Sequence, residues 1–452
     1  MLDILKIPEQ TDLSYTASEL DALHVNSFSY GASFVSGLGG ADFVRQAARE
    51  MLKTPLDRDT LSYRREFFHG IMTDSRLSDL LKLLSKDLPS GTLYQPTGFS
   101  GGLDEVALRA ERYLNVPFLL EEIVKHSSTI KACRDLKRFA IEFQSGHADF
   151  ISQAHSLGRT SPPRTKMKNR TENNPDNTYK VIEKLSRYND LITKTMIDLG
   201  RQVNTYLIFA YLCQEGAFPE FTDKPAEGHI LGAYHHGYSE WMHGGITQWK
   251  KPVKNDIHWD RKRRLNLITG YNSGGKSVYL RTAGIDVLLA MNGFYALADE
   301  MTLSPMRRIW CSFDTGDAPG MGHLQAGLSY ISRMRDNAAY DGSDLILMDE
   351  PAQGTEPAVT KTLAKGVIEN LVYKGRFPSF VVTHDLSIVD ELKDMPGVHC
   401  LRLHDFDDDV KYKVYPGVAV GGYGMRIAES LGVDPVSLAR STKAKVAGSR
   451  GS

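Results

Sequence analysis

Cysteine is scarce: Cys133, Cys213, Cys311 and Cys400 are the only four in 452 residues. None lies near another, so neither a zinc ribbon nor a disulfide framework can be read from their spacing, and a reducing compartment is expected. Long apolar runs are also lacking. No stretch reaches the roughly 20 residues a membrane-spanning helix needs. The first residues, MLDILKIPEQTD, lack the basic-then-apolar order of a secretory leader. Net charge is nearly absent, since 54 Lys and Arg against 55 Asp and Glu leave −1. A polyanion would therefore have to meet a local basic patch, not a global field. The apolar fraction of 41% is ordinary for a globular chain, and the length fits about two to four domains.

Strand alternation is missing from the first 150 residues, where the apolar spacing is helical. Ala41 to Leu52 is one periodic run, stopped by Pro55. Asp59 to Phe68 and Leu77 to Leu84 follow. A Gly/Pro/Ser break from Gly91 to Gly102 precedes Asp104 to Leu114, then Phe118 to Phe143. From His155 to Asn177 periodicity stops. Arg159, Arg164, Lys166, Lys168 and Arg170 come before the first acid, Glu172. Such a stretch is either a solvated loop or a basic tip for nucleic-acid phosphates. Tyr179 to Cys213 then reads as a long amphipathic helix, an arm beside that tip. Gly228 to Trp259 is rich in Gly and aromatics and reads as a connector. Its His229, His235, His236 and His243 match no familiar metal spacing. Arg261 to Arg264 reads as a solvated approach to the next strand.

What the chain does carry begins at Leu265. The apolar strand Leu265 to Thr269 runs into Gly270-Tyr-Asn-Ser-Gly-Gly-Lys-Ser277, a G-x-x-x-x-G-K-S loop, and Ser277 to Met291 reads as a helix. Gly270, Gly274 and Gly275 let the backbone curl and aim its N–H groups at a polyphosphate. Lys276 adds a charge for the β- and γ-phosphates, and Ser277 a hydroxyl for magnesium. The candidate nucleotide cradle is Gly270, Asn272, Ser273, Gly274, Gly275, Lys276, Ser277 and Val278, with ATP or ADP and Mg2+ as its ligands. Further strands, Leu345 to Met348 and Phe380 to Thr383, alternate with helical segments at Ser329 to Asn337 and Val359 to Val372. This texture predicts a parallel sheet covered by helices. Asp349 and Glu350 end one strand: Asp349 as a magnesium ligand, Glu350 as acceptor of a proton from the attacking water. Thr383 and His384 end another, with His384 in reach of a γ-phosphate. Between them, Asp314 to Met334 brings glycines to a helix start near Leu328 or Ser329, where Ser329 is either an ordinary cap or a contact to nucleotide on a second subunit.

These motifs, in this order, resemble the MutS family of DNA-binding ATPases within the ABC superfamily. Asn272, Gly274, Gly275, Lys276 and Ser277 match its G-x-N-x-G-G-K-S loop. Asp349, Glu350, Gly354 and Thr355 match D-E-x-x-x-G-T, and Thr383-His384 the T-H pair. Tyr412 to Gly417, Tyr423-Gly424 and Ile427 to Val433 are similar to its C-terminal segment, and Val44 to Met72 to its core helices. The resemblance implies an all-α core and lever region, residues 1–227 with the basic loop near 155–177. An ABC-type P-loop α/β ATPase domain, 228–440, and a polar tail, 441–452, follow. It places Pro252 where an aromatic residue commonly stacks on adenine, with His258 or Trp259 as substitutes, and Leu328 at the usual signature serine. It implies a short form without the mismatch-reader and connector domains, cytoplasmic and nucleoid-associated if bacterial. The implied activity is Mg-dependent ATP hydrolysis that opens and closes a homodimeric clamp on structured or damaged DNA in repair or recombination, held by the basic residues from Arg159 to Arg170. The competing expectation is an ATP-switched protein scaffold with no DNA contact. A small-molecule kinase would leave the long helical arm unexplained.

Overall fold

A computed structural model describes residues 14–23, 25, 41–88, 116, 118–127, 130–136, 141, 197, 199–235, 252–271, 275–313, 322–339, 341–374, 377–403, 410–419, 431 and 433. These residues fall into two compact units. One lies within the spans Met1–Pro219, His236–Lys250 and Ile285–Glu300, the other within Glu220–His235, Lys251–Gly284 and Met301–Ser452. The basic residues Arg159, Arg164, Lys166, Lys168 and Arg170, the helix expected from Asp104 to Leu114 and the start of the long arm lie outside the described residues. Among the described residues no helix is long and apolar enough to cross a membrane.

The elements of the first unit are helices α1 (Ala17–Ala22), α2 (Ala41–Leu52), α3 (Arg58–Thr73) and α4 (Ser75–Asp87), with further helical residues at 118–126, 131–136 and 199–212. Their boundaries follow from capping. Asp57 takes the N–H groups of Asp59 and Thr60 at 3.0 and 2.9 Å and starts α3. Asp74, the single residue between α3 and α4, does the same for Arg76 and Leu77 and starts α4. The core is aromatic. Phe67 meets Tyr206 edge to face at 5.0 Å, and Phe209 stacks on Phe294 at 4.1 Å.

A carboxyl group sits in this apolar unit. Asp286 is fully buried. One of its oxygens accepts the Leu297 N–H at 2.7 Å and the other has no hydrogen-bond partner. Burial pushes its pKa up to about 8 from 3.8, so the folded chain holds a proton that the unfolded chain releases. The stability this group contributes is complete below its unfolded pKa of 3.8 and is lost as pH rises through about 8. Urea midpoints taken from about pH 5 to about pH 8 should therefore fall less in Asp286→Asn than in the wild type. Equal falls in the two proteins would show that Asp286 does not carry that proton.

The second unit holds two sheets. The larger has strand order β10-β9-β4-β8-β7-β6, built from β4 (Leu265–Thr269), β6 (Arg308–Ser312), β7 (Asp344–Asp349), β8 (Ser379–Val382), β9 (Val398–Leu403) and β10 (Val414–Pro416). All neighbours pair in parallel except β10 with β9. α5 (Lys276–Met291), α6 (His323–Asn337), α7 (Pro357–Lys374) and α8 (Leu386–Leu392) fill the crossovers; the residues of α5 from Ile285 onward count with the first unit. β4, β7 and β8 read as near-continuous apolar runs because both faces are covered.

The smaller sheet departs from the sequence reading. The stretch from Gly228 to Trp259, expected as a connector, contains β2 (Gly228–Ala233) and β3 (Asn255–Trp259), paired antiparallel. With β1 (Glu220–Phe221) and β5 (Glu300–Leu303) they form a sheet of order β1-β5-β2-β3. The signal was there in part: Asn255, Ile257 and Trp259 alternate inward against outward Asp256 and His258. Glycines and a long intervening segment obscured it.

Candidate functional site

Three strands end level at one edge of the larger sheet. Ile268 of β4 and Asp349 of β7 both register against Val382, the last residue of β8. The carboxyl edge of a parallel sheet is where ligands bind, because crossover helices start there and point their N–H ends at it. The loop after β4, the acid pair after β7 and Thr383-His384 after β8 therefore share one edge.

The loop leaves β4 at Gly270, φ +148°, and enters α5 through Gly275, φ +96°. Both conformations favour glycine. A Cβ on Gly275 would stand 3.3 Å from Tyr412 Cδ1 and 3.4 Å from Leu403 Cδ2, so these side chains already pack on the loop backbone. Lys276, the first residue of α5, is buried, and its Nζ donates to the carbonyls of Gly270 and Tyr271 at 3.0 and 2.8 Å. Burial pulls its pKa down to about 8, against the opposing pull of Glu350 and Asp349. A polyanion at the loop would add to the countercharge these two acids provide and favour the ammonium form. Asn272, Ser273 and Gly274 lie outside the described residues.

The two acids after β7 diverge. Asp349 is bonded by the Ser277 hydroxyl. Its carboxyl is raised above the usual range, chiefly by burial and further by Glu350. Glu350 turns the chain at φ +50°, and Ala352 (φ +70°) and Gly354 (φ +98°) complete the reversal. A left-handed non-glycine residue is strained by about 1 kcal/mol or more and persists where its surroundings hold it. Here the Glu350 N–H bonds Val382 O at 3.1 Å and its carboxylate meets His384 Nε2. Thr383 fixes the far side: its N–H bonds Ile268 O at 3.1 Å and its hydroxyl accepts the Asp385 N–H at 3.1 Å.

A serine hydroxyl and a carboxylate in contact are the hard oxygen donors magnesium prefers. Among the described residues no group of three or more His, Cys, Asp or Glu gathers. A cation here would complete its shell with water and phosphate oxygens, as magnesium does at phosphate sites. The donor set fits.

Lys276, Ser277, Asp349, Glu350 and His384 are thus brought together. Val278 lies in the first turn of α5. Ser329 does not head its helix. α6 begins at His323 with Gly322 as a cap that makes no side-chain bond, so Ser329 is an exposed residue inside the helix. The run of glycines and the absence of a Ser, Thr, Asp or Asn cap hid that start. Trp259 cannot meet a nucleotide: it is fully buried, edge-on to Phe380 at 6.2 Å. His258 pairs with Asp260 at 3.2 Å, beside the start of β4 rather than the loop.

Tyr412, which opens the family-like C-terminal segment, is an aromatic residue at this edge, a placement its sequence context does not reveal. It is half exposed, sits at φ +63° and lies against Gly275. Asn255 holds it in place. Its amide donates to Tyr412 O at 3.0 Å and its carbonyl accepts the Val414 N–H at 2.8 Å. No local spacing links residues this far apart in the chain. Residues 266–447, which carry this site apart from Asn255, match the family model of MutS domain V, and this part of the chain is accordingly similar to the ATPase domain of the MutS family.

Proposed function

We propose that the chain binds ATP at the loop from Gly270 to Val278, hydrolyses it with magnesium, and uses the cycle to open and close a homodimeric clamp on structured DNA. The observation that carries the ATPase reading is the meeting of Lys276, the Ser277–Asp349 pair and the Glu350–His384 pair at the ends of β4, β7 and β8. Lys276 and the loop N–H groups hold the β- and γ-phosphates. Ser277 and Asp349 hold magnesium, which when bound neutralises charge on the phosphate oxygens. A water oxygen attacks the γ-phosphorus, the bond to the bridging oxygen breaks, and Glu350 takes the water's proton. His384 orients Glu350 and stands in reach of the γ-phosphate. Tyr412 offers an exposed ring face to the base.

The DNA part of the reading rests on the MutS similarity and on the local run of Arg159, Arg164, Lys166, Lys168 and Arg170 in a chain of net charge −1. Dimerisation through the ATPase region and a contact from Ser329 to the partner's nucleotide belong to the same reading. The test is a salt titration of plain duplex, bent duplex and four-way junction against the full chain with ATP. Affinity should favour branched or bent DNA and fall steeply with salt. Changing Arg164, Lys166, Lys168 and Arg170 together to Ala should flatten the slope by about 3 to 4 log units per log unit of salt. Failure to bind any DNA form at low salt sinks the clamp and leaves the protein-scaffold alternative.

A further inference from the structure

Arg281 lies on α5 four residues after Ser277, so both side chains rise from one helix face. Its guanidinium carbon stands 5.1 Å from the centre of the Phe313 ring. Phe313 directly follows β6, and the last β6 residue, Ser312, registers against Met348 of β7. Phe313 and Asp349 therefore leave neighbouring strands at the same level. Arg281 on that ring therefore brings its positive charge to the level of the Asp349 carboxyl. A guanidinium is thus anchored on an aromatic face beside Asp349, and nothing in the mechanism above uses it.

We propose that Arg281 is a positioning residue that sets how much divalent cation the site requires, standing as counter-ion to Asp349 while it is anchored on Phe313. The inference rests on the reading of Ser277 and Asp349 as cation ligands. Two carboxyl groups at one strand end repel each other, and a fixed unit charge beside them relieves that repulsion. The same charge opposes an incoming dication, because both draw on the same carboxylate. Arginine suits the post better than lysine, since its planar head stays charged and stacks on a ring.

The test reads binding rather than turnover. Magnesium is titrated into the full chain with a fluorescent ADP, and the magnesium concentration that half-saturates the change in nucleotide affinity is compared among variants. Nucleotide affinity in EDTA and circular dichroism report separately on the loop and the fold. Arg281→Gln should half-saturate at about three- to tenfold less magnesium than the wild type. Arg281→Met, whose chain keeps an apolar contact with Phe313, should shift the same way, and Arg281→Lys should stay within about twofold. Folded Gln and Met variants with the wild-type magnesium requirement overturn the inference. A wild-type chain whose nucleotide binding ignores magnesium overturns the reading of the cation ligands, and this inference with it.

Discussion

Replacing Glu350 with Gln is expected to leave ATP bound while slowing hydrolysis by about two to four orders of magnitude. The substitution removes one capacity and little else. The amide matches the carboxylate in size and can still meet His384, and the N–H that bonds Val382 O belongs to the backbone. The turn at φ +50° is no more strained for Gln than for Glu. What disappears is the group able to take a proton from water. In the proposed function Lys276 and the loop hold the phosphates and Ser277 and Asp349 the cation, so affinity should change little. Equilibrium binding of a fluorescent ATP together with single-turnover hydrolysis separates the two steps. Hydrolysis at the wild-type rate would remove Glu350 from the chemistry. Loss of binding instead would mean that Glu350 shapes the loop rather than the reaction.

Asp344→Ala is expected to destabilise the second unit by about 3 kcal/mol. Asp344 is fully buried at the start of β7 and accepts four hydrogen bonds: Arg307 Nε at 2.9 Å and its terminal nitrogen at 2.7 Å, Trp310 Nε1 at 2.7 Å, and the Ala339 N–H at 3.0 Å. Arg307 also donates to Asn337 O at 2.8 Å, so one carboxylate ties the end of α6 to β6 and β7. Alanine would leave the buried Trp310 indole N–H unpaired and a guanidinium without its partner. Arg307 is a third exposed, so water recovers part of its loss, which keeps the figure at the lower end for a broken buried pair. Asp344→Asn, which still accepts, should lose less. Urea unfolding followed by tryptophan emission measures both, and a loss in Asp344→Ala below about 1 kcal/mol would show that the site closes over the missing carboxylate.

Local chemistry made much of this chain legible. α2 runs from Ala41 to Leu52 as the periodicity and Pro55 imply, and β4 from Leu265 to Thr269 as its apolar run implies. Asp349, Glu350, Thr383 and His384 could be placed at strand ends because an apolar run that stops at a polar pair has one natural geometry in a covered parallel sheet. The first turn of α6 carries no capping side chain, so the sequence points to a start near Leu328 or Ser329 where the helix begins at His323, and β2 and β3, a strand pair separated by a long segment, leave only a weak two-residue alternation. In both places the determinant is non-local or absent from the local sequence.

The sequence by itself determined the loop, its lysine and serine, the acid pair and the histidine, since each depends on residue type at short spacing. Tertiary structure alone decided which side chains meet. Ser277 reaches Asp349 across two elements, and Glu350 turns away to His384 through a left-handed backbone. Asn255 pins Tyr412 against Gly275, and Arg281 reaches Phe313 beside Asp349. Those pairings depend on sheet order and strand register, which bring residues about 30 to 160 positions apart to one edge, and no spacing along the chain encodes a distance of that kind.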